Sequence, residues 1–346
     1  MKVRQIQFNG VGRMEYVERE LAPLAIDEVL VKVEACGLCT WERHIFSGEE
    51  SMPFPFVGGH EIAATVLEKG RHVADHIRIG MPAAIAKWQR CNACEPCRRG
   101  YDNHCEQNFA PSDLPYSGPG GFADYLVCKY YEVFPFSPDM PVHYAAIGEP
   151  VACVTRGVSR LNVVAGDTVA VIGAGFMGLL FLKLLKLQGC KVIVVQRSEK
   201  RRENAKLAGA DVVIDPADGD WSERIVELTG GTGAAAVVYT AGGSKVLNGC
   251  MRAARIGATV LLYAPTLEES AQLDIDMIHF KELVLTGALR HDKESFRQAV
   301  RLLGSGLLEY SGINLDFGRF ERFEDEMRRA DEDRDIHRIL LRWDAK

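Results

Sequence analysis

Three closely spaced glycines after an apolar run constrain the fold of this chain more than any other feature. Gly173, Gly175 and Gly178 follow TVAVI as G-x-G-x-x-G, with Phe176 and Met177 inside the pattern at the start of a helical stretch. This spacing permits a tight turn, a close approach of the backbone to a pyrophosphate and a helix N-terminus that faces the negative charge. A second strand predicted at KVIVVQ completes a βαβ unit, so these five residues are candidate contacts of a dinucleotide.

The chain has 346 residues, more than one typical domain, and its pattern of predicted secondary structure changes near residue 146. Before this point it is mostly β-like, with runs at 28–36 and 61–70. After it, short Val and Ile runs alternate with amphipathic stretches, which predicts a parallel sheet. We predict an α/β chain with a mostly-β domain over 1–148, a doubly wound Rossmann domain over 149–288 and a C-terminal segment over 289–346. Further strands of the Rossmann sheet are predicted at 211–215, 235–240, 258–264 and 283–288.

The second strand ends without the acidic residue that usually holds the ribose 2′-hydroxyl of NAD. Gln196 stands there, followed by Arg197, Ser198, Lys200 and Arg201. A 2′-phosphate would meet no carboxylate at this position and would have three cations nearby, so we predict that the chain prefers NADP. The alternative is that Lys200, Arg201 and Arg202 only form the exposed first turn of the next helix, which leaves NAD open.

Four cysteines lie within fifteen residues in CNACEPCRRGYDNHC, spaced as C-x2-C-x2-C-x7-C. Cys91, Cys94, Cys97 and Cys105 can close a tetrahedral thiolate shell around zinc and leave no open position. We therefore predict a structural zinc site in a lobe over about 88–108. An iron-sulfur cluster is the alternative, but the ending that follows the third cysteine in bacterial ferredoxins is absent.

A second set of metal-ligand residue types is spread over three points of the chain. CGLCTWERH holds Cys39 and His44, FVGGHEIAA holds His60 and Glu61, and IGEPVACV holds Glu149. A thiolate, an imidazole and a carboxylate can bind zinc and leave a position for water or substrate, as a catalytic site requires. Taken singly, each has a structural interpretation: a small buried thiol, a hydrogen-bonded surface histidine or a carboxylate at a helix start.

With CGLC-x4-H, GGHE, the four-cysteine lobe, GEPVACV and GAGFMG in this order, nearly the whole chain resembles the zinc-dependent medium-chain dehydrogenases, in particular their sorbitol, threonine and polyol branch. The resemblance implies a GroES-like catalytic domain, built from the N-terminal part and the C-terminal tail, with a Rossmann domain between them. It implies that Cys39 and His60 bind a catalytic zinc, with Glu61 and Glu149 as the remaining ligands or as water-holding carboxylates. It also implies a second, structural zinc, reversible hydride transfer between an alcohol and NAD(P), and a homodimer or homotetramer.

One position departs from the family pattern. Relatives carry Ser or Thr two residues after the zinc-binding cysteine to relay the alcohol proton, but this chain has Trp41 there. The hydroxyl of Thr40, the imidazole of His44 or a water held by a glutamate could take over this role, and we rank His44 first. Glu42 is predicted to orient a zinc-binding histidine without itself binding the metal.

Trp41 also bears on the substrate, because a large aromatic side chain beside the metal can stack on the apolar face of a sugar or cyclitol. Trp88 and Tyr116 are weaker candidates for the same pocket, since they can equally be core aromatics. We predict a zinc-dependent, NADP-preferring dehydrogenase that acts on a secondary alcohol of a polyol, sugar or cyclitol. The alternatives are an NAD-dependent amino-alcohol, threonine-type or simple secondary-alcohol dehydrogenase and, in another class, a nucleotide-binding redox sensor without catalysis.

Charge and hydropathy argue against other classes of partner. The chain has 41 Lys and Arg against 47 Asp and Glu, and its net charge of -6 lacks the basic excess that nucleic acids or anionic membranes attract. No apolar run approaches the ~20 residues that span a bilayer, and MKVRQIQFNG lacks the apolar core of a signal peptide. We therefore expect a cytoplasmic protein with a small-molecule substrate, whose ten cysteines are thiols or metal ligands.

Overall fold

The structure is a computed structural model that describes residues 1–87, 90–108, 114–241, 243–266 and 270–344. The strands are β1 (Lys2–Gly10), β2 (Arg13–Glu20), β3 (Glu28–Gly37), β4 (Glu61–Lys69), β5 (Pro82–Ile85), β6 (Tyr125–Lys129), β7 (Val133–Pro135), β8 (Thr168–Ile172), β9 (Lys191–Val195), β10 (Val212–Ile214), β11 (Ala234–Tyr239), β12 (Ala254–Leu262), β13 (Val284–Gly287), β14 (Leu315–Arg319) and β15 (Arg338–Arg342). The α-helices are α1 (Thr40–Ser47), α2 (Glu95–Arg98), α3 (Gly148–Val158), α4 (Phe176–Leu187), α5 (Glu199–Leu207), α6 (Trp221–Leu228), α7 (Leu247–Ala253), α8 (Ile275–Phe280), α9 (Lys293–Gly304) and α10 (Phe323–Glu332). Short 3₁₀ helices cover Asp102–His104, Tyr130–Glu132, Val142–Ile147, Pro216–Asp218, Ser244–Val246 and Phe320–Arg322.

The first of two units comprises Met1–Ala152, Asp292–Leu307 and Leu315–Lys346. Its larger sheet has the order β14-β15-β3-β4-β5-β7, with β6 paired to β3, and β1 and β2 form a separate antiparallel pair. Aromatic side chains fill the core, where the rings of Phe122 and Phe323 lie 5.0 Å apart. The predicted strands at 28–36 and 61–70 are therefore central strands of one sheet.

The pairing of β3 with its two neighbours brings distant parts of the sequence together. Gly37, at the end of β3, lies opposite Glu61 on β4 and Leu340 on β15. A Cβ atom at residue 37 would lie 1.9 Å from Glu61 Oε2, so glycine leaves the space that this carboxylate occupies. The end of β3, the start of β4 and the first half of β15 thus lie next to one another at the same end of these strands.

The second unit comprises Cys153–His291 and Leu308–Asn314. Its sheet is parallel and has the order β10-β9-β8-β11-β12-β13. β8 lies between β9 and β11, so the strand order reverses there and the carboxyl end of β8 is the expected dinucleotide site. The strands predicted from the sequence all belong to this sheet, which confirms the Rossmann fold.

Residues 308–314 form an exception to the predicted return of residues 289–346 to the first unit. Ser311 Oγ accepts a hydrogen bond of 2.6 Å from Lys183 on α4. Gly312, at φ +78°, lies so close to α5 that a Cβ atom would be 2.2 Å from the Asn204 carbonyl oxygen. These contacts hold the short segment in the second unit. None of the helices in the described ranges is both long and apolar enough to cross a membrane.

Candidate active site

Glu42 contacts the histidine of the candidate metal site and is itself buried in the core. Cys39 precedes α1 in an extended conformation, and α1 carries the Glu42 side chain into the core, where it is fully buried. Glu42 Oε1 accepts a 2.9 Å hydrogen bond from the Gly59 backbone N–H and lies 2.7 Å from His60 Nδ1. The contact agrees with the predicted role of Glu42 as a residue that orients a histidine, because it leaves the other ring nitrogen of His60 for a metal.

Two overlapping groups of donor atoms meet at His60. Cys39, Glu42 and His60 each offer one atom within 4.8 Å of the others, and so do His60, Glu61 and Glu149. His60 Nε2 points towards Glu149 Oε2 at 4.0 Å, and Glu149 lies in the first turn of α3. The four predicted ligands of the catalytic zinc, Cys39, His60, Glu61 and Glu149, thus gather around His60.

Arg338 is a further residue of this cluster that no sequence pattern indicates. It is buried at the start of β15, where Nη2 lies 3.2 Å from Glu61 Oε1 and Nη1 donates to the Leu38 carbonyl oxygen at 3.0 Å. A single arginine in the C-terminal part has no distinguishing pattern. The pairing of β15 with β3, which places Arg338 here, depends on contacts that are distant in sequence.

Burial and mutual charge perturb the ionisable groups of the cluster. Burial raises the pKa of the Glu61 carboxyl to about 7, although the Arg338 guanidinium opposes this rise. Burial disfavours the charged imidazole of His60, but the Glu42 carboxylate, with smaller contributions from Cys39 and Glu149, raises its pKa well above the usual value.

The donor set fits a zinc ion. Glu42, Glu61 and Glu149 are buried carboxylates, and Arg338 pairs with Glu61. In the described part of the chain, no hydrogen-bond donor meets Glu61 Oε2. A divalent cation would supply the missing charge, and one thiolate, one imidazole and a carboxylate leave a position for substrate. Burial raises the pKa of the Cys36 thiol well above the usual value and keeps this thiol neutral.

The ring of Trp41 borders this site. Its centroid lies 5.5 Å from that of His60 at an interplanar angle of 75°, and Phe56 packs on it at 5.7 Å. The two predicted proton-relay side chains have other partners: Thr40 Oγ1 accepts from Arg43 at 2.9 Å. His44 Nε2 lies 3.6 Å from Glu49 Oε2 and is half-buried near the end of α1.

The two other aromatic candidates do not add to the described site. Tyr116 is buried in the core of the first unit, and its hydroxyl accepts a hydrogen bond from Gln5 Nε2 at 3.3 Å. Trp88 lies outside the described residues.

The four cysteines of the lobe converge as their spacing predicts. The sulfur atoms of Cys91, Cys94, Cys97 and Cys105 all lie within 4.8 Å of one another. Cys91 Sγ accepts hydrogen bonds from the backbone N–H groups of Ala93 and Cys94, and these lower the pKa of its thiol to about 6. Burial raises the pKa of the Cys97 thiol to about 12, so among these two thiols only that of Cys91 is stabilised as a thiolate. Four converging sulfur atoms at this spacing fit a closed zinc site.

Asp102 attaches the lobe to the rest of the first unit. It is buried, its Oδ2 lies 3.1 Å from Arg90 Nε, and its carboxylate accepts from the Lys293 backbone N–H at 3.3 Å. Lys293 begins α9, so the lobe is linked directly to that helix.

At each position of the G-x-G-x-x-G loop, a different feature of the geometry explains why glycine is present. Gly173 has φ +108°, and a Cβ atom at Gly178 would lie 2.1 Å from the Gly173 carbonyl oxygen. A Cβ atom at Gly175 would meet nothing within 4 Å, so the backbone before α4 is open to a pyrophosphate. Thr240, which the sequence analysis missed, holds the loop by donating to the Ile172 carbonyl oxygen at 2.8 Å. Phe176 and Met177 lie in the first turn of α4.

Gln196, which stands at the predicted ribose-binding position, is the first residue after β9. Gln196 Oε1 accepts a hydrogen bond from the Ala174 backbone N–H at 2.9 Å, which ties this side chain to the glycine loop. Arg197 and Ser198 are exposed. Ser198 caps α5 by accepting from the Arg201 backbone N–H at 3.5 Å.

Comparisons with known proteins agree with this arrangement. Residues 25–139 match the family described as alcohol dehydrogenase GroES-like domain, and residues 177–305 match zinc-binding dehydrogenase. An L-galactonate-5-dehydrogenase of Escherichia coli is 28% identical over 84% of both chains, and an L-threonine 3-dehydrogenase of Pyrococcus abyssi is 30% identical over 91% of this chain and 92% of its own. A solved structure described as a zinc-binding dehydrogenase from Sinorhizobium meliloti, bound to NADP, superposes with a TM-score of 0.89 at 28% identity over 99% of both chains. The chain therefore belongs to the zinc-dependent medium-chain dehydrogenases, in their sorbitol dehydrogenase-like branch, and is an enzyme that uses zinc and NAD(P).

Proposed function

We propose that this enzyme transfers hydride reversibly between NADP and a secondary alcohol of a polyol, sugar or cyclitol. The observation that carries the proposal is the cluster of Cys39, His60, Glu61 and Glu149, in which all but Cys39 are buried and Glu42 contacts His60. The Trp41 ring beside His60 offers an apolar face for a sugar or cyclitol ring. The Escherichia coli relative named L-galactonate-5-dehydrogenase supports a polyhydroxylated substrate.

The side chains of the cluster have separate roles in this proposal. Cys39 and His60 would hold the catalytic zinc, with Glu61 and Glu149 as ligands or as carboxylates that hold water. When bound, zinc would supply the Lewis acidity that lowers the pKa of the substrate alcohol. Glu42 keeps the proton of His60 on Nδ1, and the Arg338 guanidinium compensates the negative charge of Glu61. The four-cysteine lobe would hold a second, structural zinc.

We propose His44 as the group that passes the alcohol proton to solvent in place of the missing Ser or Thr. Its half-exposed ring near the end of α1, with Glu49 beside it, supports exchange with water. Thr40 is the second candidate, and its hydroxyl can donate while it accepts from Arg43.

The preference for NADP rests on the residues after β9. Gln196 replaces the carboxylate that would repel a 2′-phosphate, and Gln196, Arg197, Ser198 and Arg201 are the proposed contacts at this end of the nucleotide. The similar structure from Sinorhizobium meliloti was described with NADP, which supports this choice. The five residues of the glycine loop would bind the pyrophosphate.

The second candidate function is oxidation of an amino-alcohol with NAD. It is favoured by the 30% identity to the L-threonine 3-dehydrogenase of Pyrococcus abyssi. The redox-sensor alternative is weaker, because this chain keeps a complete set of candidate zinc ligands and its relatives are named as dehydrogenases.

We also propose that the enzyme is a homodimer or homotetramer. β13 lies at the edge of the second unit's sheet, and Phe280, Val284 and Leu289 expose more than half of their surface on or beside it. Exposed apolar side chains next to a strand edge favour association with another chain.

The test of the proposed function is nucleotide reduction by zinc-loaded enzyme, followed by absorbance, over polyols, cyclitols, aminocyclitols and amino-alcohols with NADP and NAD in parallel. Turnover of a polyol or cyclitol that is faster with NADP is the expected result. Turnover of amino-alcohols with NAD alone would reject the proposal in favour of the second candidate. In the same assay His44→Ala should lower turnover mainly at low pH, where solvent base is scarce, and His76→Ala, which changes another histidine of the first unit, should not.

A further inference from the structure

Arg202 connects three groups at the carboxyl ends of β9 and β10. Its Nη1 lies 2.7 Å from Asp215 Oδ2, 3.1 Å from the Gln196 carbonyl oxygen and 2.5 Å from the Arg197 carbonyl oxygen. Both charged side chains expose only about a fifth of their surface, at 20% for Arg202 and 21% for Asp215. The guanidinium therefore faces the protein and leaves phosphate binding to neighbouring cations.

Asp215 lies beside the loop that reads the ribose. It is the first residue after β10, and the Gln196 backbone N–H donates to the carbonyl oxygen of the preceding Ile214 at 3.0 Å. A carboxylate at this edge favours the 2′-hydroxyl of NAD and opposes a 2′-phosphate. Position 196 has no such carboxylate, but Asp215 brings one to the same edge from the adjacent strand.

We infer that Arg202 is a positioning residue that favours NADP over NAD by neutralising Asp215. The same nitrogen holds the carbonyl groups of Gln196 and Arg197, so the loop and the carboxylate are fixed together. Arg202 therefore acts on the cofactor through Asp215 and the loop. This inference rests on the proposed NADP preference, and the experiment separates the two.

The test measures binding of 2′,5′-ADP and 5′-AMP by calorimetry, because these probes differ only in the 2′-phosphate. Arg202→Met removes the charge and keeps the apolar stem. It should weaken 2′,5′-ADP binding about tenfold and 5′-AMP binding less than about threefold, since an unpaired carboxylate acts on the additional phosphate. Asp215→Asn added to Arg202→Met should restore most of the tenfold loss. Arg202→Lys should retain most of the selectivity.

The control is Arg255→Met, which breaks another Arg–Asp pair of the second unit. Arg255 Nη1 lies 3.1 Å from an oxygen of Asp167, the residue before β8. It should leave the ratio of the two dissociation constants unchanged. Partial unfolding lowers the affinity for both probes, so the ratio separates selectivity from folding. Fluorescence titration of the same variants with NADPH and NADH should give the same order.

Equal weakening of both probes by Arg202→Met, no weakening, or no recovery in the double variant would overturn the inference while the NADP preference stands. A wild-type enzyme that binds 5′-AMP as tightly as 2′,5′-ADP would reject the NADP preference and the inference with it.

Discussion

One oxygen of Glu42 meets both the Gly59 N–H and His60 Nδ1, in a fully buried position. Such a carboxylate fixes the tautomer and the orientation of the histidine, and it raises the basicity of the nitrogen that faces the metal. We therefore propose that Glu42 controls the affinity of the metal site through His60.

Glu42→Gln should lower the affinity of the catalytic site for zinc by roughly 10- to 100-fold, because the neutral amide polarises His60 less. Zinc content after dialysis against graded chelators measures this loss. The four-cysteine lobe serves as an internal reference, and Glu50→Gln, on an exposed segment after α1, is the matched control. Retention of both metals by Glu42→Gln at every chelator concentration would contradict the proposed role of Glu42.

At the residue scale, local spacing predicted most of the candidate site. Glu42 could be inferred because it lies on the same short segment as Cys39. Glu61 could be inferred because it directly follows His60 in the sequence. Arg338 could not be inferred, since its role depends on the pairing of β15 with β3. The contact between Arg202 and Asp215 likewise requires the register of β9 with β10.

The glycine loop and α4 form one element whose three glycines have different roles. Gly178 permits close packing of α4 on the end of β8, and Gly175 leaves space before the helix. Gly178→Ala should destabilise the second unit by about 1–3 kcal/mol, because the added methyl group meets backbone. Gly175→Ala should leave the unfolding temperature unchanged but weaken NADP binding, since its methyl group fills the open space.

Thermal unfolding and calorimetric titration with NADP distinguish these two effects. Gly209→Ala, at a positive φ away from the loop, is the control for a strained glycine without a cofactor role. Equal changes in stability for Gly175→Ala and Gly178→Ala would contradict the assigned roles.

At the element scale, the six strands of the second unit were predictable because each is a short apolar run between turn signals. The strand order of the first unit was not. β14 and β15 join β3 from the C-terminal part of the chain, and nothing in their own sequence indicates that partner. The segment 308–314 was missed for the same reason, since its contacts lie on α4 and α5.

Across the whole molecule, the exposed edge of β13 predicts how copies of this chain associate. Val284→Asp places a charge on that strand, where Val284 is 53% exposed, and should shift the enzyme to smaller species. Light scattering coupled to size exclusion measures the mass. Val164→Asp, at a residue that is 70% exposed elsewhere in the second unit, should leave the mass unchanged. A monomeric wild-type enzyme would reject this interface.

The position of β15 between β14 and β3 has a consequence for synthesis on the ribosome. All candidate zinc ligands emerge by residue 149, whereas Arg338 follows only after the second unit. At about 5–20 residues per second, this interval lasts roughly ten to forty seconds. Until Arg338 is made, the Glu61 carboxylate lacks the guanidinium that pairs with it, so a metal ion bound early would be its counter-charge.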